Sequence, residues 1–249
     1  MSSYKKRLIT ALGLSAALFA SSSGFTAEAL TPAQKAEVQK LIGSYLKENP
    51  EVVIDAIQAW RKKQDAAEAA MTKEAIAELM AETKDTRSPV WGNPKGDVTI
   101  VEFFDYNCPY CKKVFPSVKK LIADDGNIRV VMKELPVLGP NSEYAAKAAL
   151  AAQKQGKYDQ FHAQMMNKSS RLSKEGVLSA AEKVGLDMDQ LKKDMESPAV
   201  QQELERASVW AQRLGINGTP AFVIGDQLIP GAIDGQQMKR YVEKARAAK

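Results

Sequence analysis

The feature that most constrains this sequence is an apolar run that leads directly into a pair of cysteines. Val98–Phe104 is rich in branched and aromatic side chains, which favours a buried β-strand. The run Cys108–Cys111 (Cys-Pro-Tyr-Cys) follows, with a helix expected to about Ala123 and a second strand at 128–133. This order predicts the start of a βαβ unit, with the cysteine pair where the first strand passes into the helix.

The spacing of the two cysteines indicates reactivity rather than structural crosslinking. They are the only cysteines in the 249 residues, and a disulfide across so short a loop stabilises a fold little. A thiol at a helix N-terminus has a lowered pKa, so Cys108 is the predicted nucleophile. Cys111, one turn further along, is the predicted resolving thiol. We expect the two to alternate between a dithiol and a disulfide.

Metal binding is the main alternative for a Cys-x-x-Cys pair. A structural zinc site needs four protein ligands, whereas this sequence offers two cysteines and a single histidine, His162. We therefore expect no zinc site and no bound cofactor, although two thiolates alone could hold Cu(I). Copper binding stays open as an alternative. His162 lies on a predicted helix and is interpreted as a partly buried structural residue without a catalytic role.

The first 29 residues have the layout of a secretory signal peptide. Three cations at positions 5–7 precede an uncharged run, Leu8–Ala20, and the small-x-small triplet Ala27-Glu28-Ala29. The uncharged run is too short for a membrane-spanning helix, so cleavage after Ala27 or Ala29 and export to the periplasm are expected, with an uncleaved anchor as the alternative.

Charge patterning argues against a nucleic-acid partner. The formal charge of +5 falls to about +3 once residues 1–29, with three cations and one anion, are removed. The remaining basic residues alternate with acidic ones along predicted helices and are not interleaved with aromatic residues. The sequence therefore predicts no nucleic-acid surface.

Residues 30–85 are expected to form a helical segment, separate from a domain at 86–249. Apolar residues recur at helical spacing on two helices divided by Asn49-Pro50; they are Val38, Leu41, Ile42, Tyr45, Leu46, Val53, Ile57 and Trp60. Two helices cannot bury such stripes by themselves. We expect 30–85 to mediate a homo-oligomer, a dimer or trimer, the alternative being packing on the rest of the chain. The polar run Lys84–Pro89 is interpreted as a linker.

The C-terminal part reads as an α/β domain with a helical insertion. Helical stretches fill Ser142 to about Leu214, and a hairpin and a closing helix follow. The expected elements are helices at Tyr144–Gln155, Lys157–Met166, Lys174–Val184 and Met188–Met195, strands at Ala221–Ile224 and Gln227–Ile229, and a helix at Gln236–Ala247.

Two segments of the sequence resemble the active-site segments of DsbA-like thioredoxin-fold proteins. They are Val101–Cys111 and the later Gly218–Phe222 (Gly-Thr-Pro-Ala-Phe), and the resemblance extends from about Val90 to the C-terminus. The N-terminal helices make the chain look more like ScsC- and Com1-type proteins, in which such a segment is implicated in oligomer formation. The resemblance implies a thioredoxin fold with a helical insertion, preceded by an all-helical N-terminal segment.

The resemblance also implies roles for individual residues. Pro220 would be a cis-proline beside the cysteine pair that leaves the adjacent backbone free to pair with an extended substrate. Glu102 and Lys133 match a buried acid and its lysine partner, which would transfer protons. The residues expected to contact substrate are Pro109, Tyr110 and Thr219.

The function that the resemblance implies is thiol-disulfide exchange on exported proteins, with a membrane redox partner recycling the pair. Thr219 before the proline also occurs in the dimeric isomerases DsbC and DsbG, and Tyr110 replaces the histidine of strong oxidases. We therefore expect an oligomeric disulfide isomerase or reductase. The alternatives are a DsbA-type dithiol oxidase and a non-enzymatic copper-binding or chaperone module.

Overall fold

A computed structural model describes residues 30–85 and 87–248 of the chain. The expected signal peptide, residues 1–29, lies outside the described residues. Two compact units divide between Trp60 and Arg61. No helix in the described ranges combines the length and apolar character needed to cross a membrane.

The first unit contains α1 (Pro32–Glu48) and the beginning of α2 (Glu51–Glu82). Thr31 is the N-cap of α1: its Oγ1 accepts from the Gln34 backbone N–H, while the Gln34 side chain accepts from the Thr31 N–H. The predicted apolar stripes are exposed in the single chain, with Leu41 at 69% and Trp60 at 61%. The described residues of this unit therefore leave a large apolar surface in water.

The second unit is built on a five-stranded mixed sheet in the order β1-β3-β2-β4-β5. Its strands are β1 (Val90–Gly92), β2 (Val98–Phe104), β3 (Ile128–Glu134), β4 (Ala221–Ile224) and β5 (Gln227–Pro230). β2 and β3 are parallel, and every other pair of neighbouring strands is antiparallel. The parallel pair is the βαβ unit predicted from the sequence, whereas the short edge strand β1 was not predicted.

Helices cover both faces of this sheet. They are α3 (Pro109–Asp125), α4 (Pro140–Lys154), α5 (Tyr158–Met166), α6 (Lys174–Lys183), α7 (Met188–Met195), α8 (Pro198–Arg213) and α9 (Gly235–Ala247). α3 links the parallel strands, and α4 to α8 form the expected insertion between β3 and β4. The separate helix α8 had not been delimited from the sequence.

Side chains of the central strands point alternately to the two faces of the sheet and belong to two separate hydrophobic cores. Ile100 and Phe104 of β2 point into the core that contains both cysteines and α3. Val101 and Phe103 point into the opposite core, where Trp210 of α8 meets the C-terminal turns of α2. The α2 residues buried there are Ala75, Ile76 and Leu79.

The structure places the boundary differently from the expected division at residue 85. Residues 61–85 belong to the second compact unit, because the sheet's second face needs the apolar turns of α2 to cover it. The expected linker is also packed: Ser88 and Pro89 are buried, and the Pro89 carbonyl accepts from the Met132 N–H at 2.9 Å. The last two residues of the predicted linker are therefore packed in the second unit, whereas Lys84 and Arg87 are exposed.

Replacing Leu79 tests whether the end of α2 is part of this fold. Leu79 is fully buried, so Leu79→Ala should lower the free energy of unfolding by about 3 kcal/mol. Val209→Ala, at a 53% exposed position on α8, should change it by less than about 0.5 kcal/mol. Urea unfolding followed by circular dichroism gives both values. Equal, small effects would show that α2 does not stabilise the sheet.

Candidate active site

The cysteine pair sits where the sequence placed it, at the start of α3. Cys108 is the N-cap residue, and Pro109 occupies the first helical position, where a proline costs no hydrogen bond. The side chain of Cys108 is 4% exposed and that of Cys111 is fully buried. Both are free thiols in this structure. The less completely buried cysteine is therefore the one at the helix N-terminus.

Opposite electrostatic environments distinguish the two thiols. The pKa of Cys108 is lowered to about 5, chiefly by a hydrogen bond from the Cys111 thiol. Burial opposes this shift, while a hydrogen bond from Thr219 and the backbone N–H groups of Cys111 and Tyr110 reinforce it. Burial raises the pKa of Cys111 far above its ordinary value, and its hydrogen bond to Cys108 adds to the effect. At neutral pH, Cys108 is thus a thiolate and Cys111 a thiol.

The second predicted segment, Gly218–Phe222, leads into β4 and contacts Cys108. The peptide bond between Thr219 and Pro220 is cis, as expected. In the protonated form, the Cys108 Sγ donates to the Thr219 carbonyl at 3.1 Å. Pro109 and Tyr110 are exposed beside it, with Tyr110 at 62%. The expected substrate-contact residues therefore surround the nucleophile on an open surface.

Three residues just before Cys108 fix its position, and none of them was predicted from the sequence to have a role. The carboxylate of Asp105 accepts from the Asn107 N–H at 2.7 Å, from the Ser142 hydroxyl at 2.7 Å and from the Leu138 N–H at 3.0 Å. The Asn107 Oδ1 accepts from the Leu172 N–H at 2.6 Å. Because Ser142 and Leu172 belong to the insertion, the insertion holds the active-site segment in place.

Tyr106 joins the active-site segment to a buried polar cluster. Its hydroxyl lies 3.1 Å from Glu134 Oε1 and 2.9 Å from His162 Nδ1, and Tyr158 donates to the same Glu134 oxygen at 2.8 Å. Burial, before all other causes, raises the pKa of Glu134 well above its ordinary value. Burial lowers the pKa of His162 to about 3. Both side chains are therefore neutral at neutral pH, and His162 is buried rather than partly buried as expected from the sequence.

Glu102 lies on the same face of the sheet as the cysteines. Its side chain is 3% exposed, and burial raises its pKa to about 8. Its charge in turn contributes to the raised pKa of Cys111, which indicates that the two groups are close enough to interact electrostatically. A carboxyl group with a pKa near neutrality can both accept and release a proton under physiological conditions.

The expected pairing of Glu102 with Lys133 is not formed. Glu102 is opposite Met132 in the β2–β3 register, and Phe103 is opposite Lys133, so the two side chains point to opposite faces of the sheet. Lys133 Nζ instead lies 3.3 Å from Glu82 Oε1 and 3.6 Å from Glu203 Oε1. Lys133 therefore belongs to the far core and cannot exchange protons with the cysteine pair.

Within residues 30–85 and 87–248, no group of three or more His, Cys, Asp or Glu side chains could hold a metal ion. The Cu(I) alternative needs only the two thiols and is not tested by that finding.

Comparisons with known proteins agree with this geometry. The family model described as DSBA-like thioredoxin domain matches residues 99–243. A second model, described as copper resistance protein ScsC N-terminal domain, matches residues 34–67. The first match covers β3 to β5, almost all of β2, the cysteine pair, the insertion and the cis-proline, and the second covers most of α1 and part of α2.

Solved structures and curated relatives give the same result. A thioredoxin-like oxidoreductase from Silicibacter pomeroyi is 49% identical, with 66% of this chain and 95% of that one covered at a TM-score of 0.65. A linker-deletion mutant of Proteus mirabilis ScsC is 30% identical, with 89% and 99% covered at a TM-score of 0.65. Disulfide bond formation protein D of Bacillus subtilis is 27% identical, with 63% and 76% covered.

The chain also matches part of a much longer protein. Na(+)/H(+) antiporter NhaA 1 of Salinispora arenicola is 30% identical over 70% of this chain, but the match spans only 27% of the antiporter. The family matches and the structural neighbours together confirm the thioredoxin fold with a helical insertion and a helical N-terminal part. The chain belongs to the DSBA-like thioredoxin domain family and carries an N-terminal segment of the ScsC type.

Proposed function

We propose that this chain is an exported thiol-disulfide oxidoreductase that acts on protein disulfides through Cys108 and Cys111. The observation that carries the proposal is the contrast between the two thiols. Cys108 is the less completely buried of the two and has its pKa lowered to about 5, whereas the fully buried Cys111 has a raised pKa and donates a hydrogen bond to it. Cys108 is thus ionised and can attack a disulfide, whereas Cys111 is protonated and cannot.

The first chemical step follows from this contrast. The Cys108 thiolate attacks one sulfur of a substrate disulfide, and a mixed disulfide forms as the other substrate sulfur leaves as a thiolate. In isomerisation, a substrate thiolate then attacks the substrate sulfur of the mixed disulfide and releases Cys108. In reduction, Cys111 attacks the Cys108 sulfur instead, and the substrate sulfur leaves with the electron pair.

The resolving step requires a base. The Cys111 thiol must lose its proton before it can attack, and its raised pKa makes spontaneous loss rare. The ionised form of Glu102, whose pKa of about 8 lies close to neutrality, can take that proton. Glu102 would then return it to solvent or to the departing substrate thiolate.

An oligomeric isomerase or reductase is the direction that we favour. Tyr110 cannot provide the cationic stabilisation of the thiolate that histidine provides, and the N-terminal segment matches the ScsC type. A dithiol oxidase remains the second candidate because of one observation. A Cys108 pKa near 5 stabilises the reduced form, which makes the corresponding disulfide a stronger oxidant.

The surroundings of the enzyme are part of the same proposal. We propose that residues 1–29 direct export to the periplasm, where substrates would be exported proteins and a membrane redox partner would recycle the pair. The exposed apolar stripes of α1 and α2 support a homo-oligomer formed through the N-terminal segment. The catalytic domain is then the compact unit that starts at Arg61.

Cysteine variants test the proposed chemistry. Cys108→Ala should lower the rate of exchange with a scrambled disulfide protein by at least about 100-fold, because no nucleophile remains. Cys111→Ala should still attack but accumulate mixed disulfides, which non-reducing mass spectrometry detects. If Cys108→Ala keeps its activity, or if Cys111→Ala traps nothing, the assignment fails. In cells, alkylation trapping should find the pair mostly reduced for an isomerase or reductase and mostly oxidised for an oxidase.

Glu102 gives a pH-dependent prediction. Its pKa is about 8 in the fold and about 4.5 when unfolded, so the folded state binds the extra proton between these values and loses stability as the pH rises through them. Between pH 5 and pH 7, the reduced wild type should lose about 3 kcal/mol more than Glu102→Gln. Urea unfolding at both pH values measures this difference.

The control for Glu102 is an exposed carboxyl group. Glu182→Gln, at an exposed position on α6, should keep the wild-type pH dependence. Glu102→Gln should also slow resolution of the mixed disulfide by at least about tenfold, since it cannot accept the Cys111 proton. Wild-type pH dependence and a wild-type rate in Glu102→Gln would remove this residue from the mechanism.

The apolar stripe gives a prediction about assembly. Leu41→Lys/Ile42→Lys adds two charges to exposed apolar positions, so it should reduce the mass in multi-angle light scattering to that of a single chain. Ala36→Lys/Gly43→Lys adds the same charge on the opposite side of α1, where Ala36 is exposed and a side chain at residue 43 meets open space, and should leave the mass unchanged. A monomeric wild type would contradict the proposed oligomer.

A further inference from the structure

A strongly cationic loop lies beside the nucleophile. Residues 167–174, here called the cationic loop, connect α5 to the first residue of α6 and contain Lys168, Arg171 and Lys174 without a single carboxylate. The first acidic residue after them is Glu175. Arg171 and Lys174 are exposed to solvent.

Hydrogen bonds attach this loop to both ends of the cysteine run. Asn107, immediately before Cys108, accepts from the Leu172 N–H at 2.6 Å. Lys112, immediately after Cys111, donates from Nζ to the Ser170 carbonyl at 2.6 Å. The loop is therefore held against the active-site helix rather than projecting freely, which fixes its charges next to the site of exchange.

Within the described part of the chain, the cations of this region form no ion pairs, although Glu175 interacts electrostatically with Lys174 and Asp105 with Lys112. Exposed lysines elsewhere form ion pairs, such as Lys120 with Asp124 at 2.9 Å and Lys147 with Glu143 at 2.7 Å. No ion pair joins a described carboxylate to any cation of the loop or to Lys112, as the full set of pairs shows.

Two of these cations also act on each other. Lys112 has a lowered pKa, first because it is partly buried and also because Lys168 is close. The charge of Asp105 acts in the opposite direction and raises the pKa of Lys112. Asp105 is buried, however, and already accepts three hydrogen bonds. The positive field therefore extends outward from the surface beside Cys108.

We propose that the cationic loop selects acidic segments of substrate proteins, so that cysteines flanked by Asp or Glu exchange fastest at Cys108. The inference rests on the proposed function and adds a preferred substrate class to it. A fixed, uncompensated positive patch raises the local concentration of acidic segments and speeds productive encounter more than it strengthens binding. Exposed Tyr110 and Pro109 supply contacts that do not depend on charge.

Matched peptide disulfides provide the test. Three dye-labelled peptides would carry the same disulfide flanked by Glu, Gln or Lys, and the full mature chain in its reduced form would react with each in stopped flow. At low salt we expect the Glu peptide to react about tenfold faster than the Lys peptide, with the Gln peptide between them. At about 0.5 M salt the ratio should approach one, because the charges are screened.

Charge-reversal variants locate the effect. Arg171→Glu/Lys174→Glu changes two exposed residues that donate no hydrogen bond to the described protein, and a Glu at the start of α6 suits the helix dipole. This variant should lose or invert the preference while reacting with the Gln peptide at the wild-type rate. Lys192→Glu/Lys193→Glu, on exposed positions of α7, makes the same change in net charge and should keep the preference.

The outcomes separate the two proposals. If the wild type reacts with all three peptides at equal rates, or if Arg171→Glu/Lys174→Glu keeps the wild-type preference, the selection of acidic segments is overturned and the oxidoreductase function stands. If the wild type reacts with none of them, the oxidoreductase function fails, and the inference fails with it.

Discussion

The hydrogen bond from the Cys111 thiol to Cys108 is the interaction on which the rest of the site depends. It is the largest contribution to the lowered pKa of Cys108, and it exists only because Cys111 is buried and keeps its proton. Burial of one thiol thus creates the reactivity of the other. The same burial prevents Cys111 from acting until a base removes its proton, and this gives the nearby carboxyl group of Glu102 its importance.

This interaction depends on the position of Cys108, and the helical insertion restrains that position. Asp105 and Asn107 are anchored by Ser142 and Leu172, which lie in the insertion, while Tyr106 is anchored by Glu134 and His162. Each residue between the end of β2 and the nucleophile therefore has a side-chain partner in another element. The insertion thus positions the active-site segment. The same hydrogen bond, from the Leu172 N–H to Asn107, also holds the cationic loop in place.

The sequence predicted the parts of this site that depend on local patterns. The bounds of β2, the position of the cysteines at the start of α3, the cis bond before Pro220 and the burial of Glu102 all follow from neighbouring residues or from the motif. The partner of Lys133 depends instead on the register of β3 against β2, which puts Lys133 and Glu102 on opposite faces. The edge strand β1 is three residues long, too short for alternation to reveal it.

The packing of the end of α2, on the other face of the sheet, could not be predicted from the sequence either. Its three buried residues, Ala75, Ile76 and Leu79, stand in a run rich in alanine and charged residues, so its pattern resembles a solvated helix. Lys133, fully buried, compensates its charge with Glu82 of α2 and Glu203 of α8, and Trp210 donates to the second Glu82 oxygen at 2.6 Å. A shift of α2 by one turn would remove Glu82 and leave the buried ammonium group with Glu203 as its one remaining carboxylate partner. The buried lysine that was expected to move protons therefore fixes the register of the helix that covers the second core.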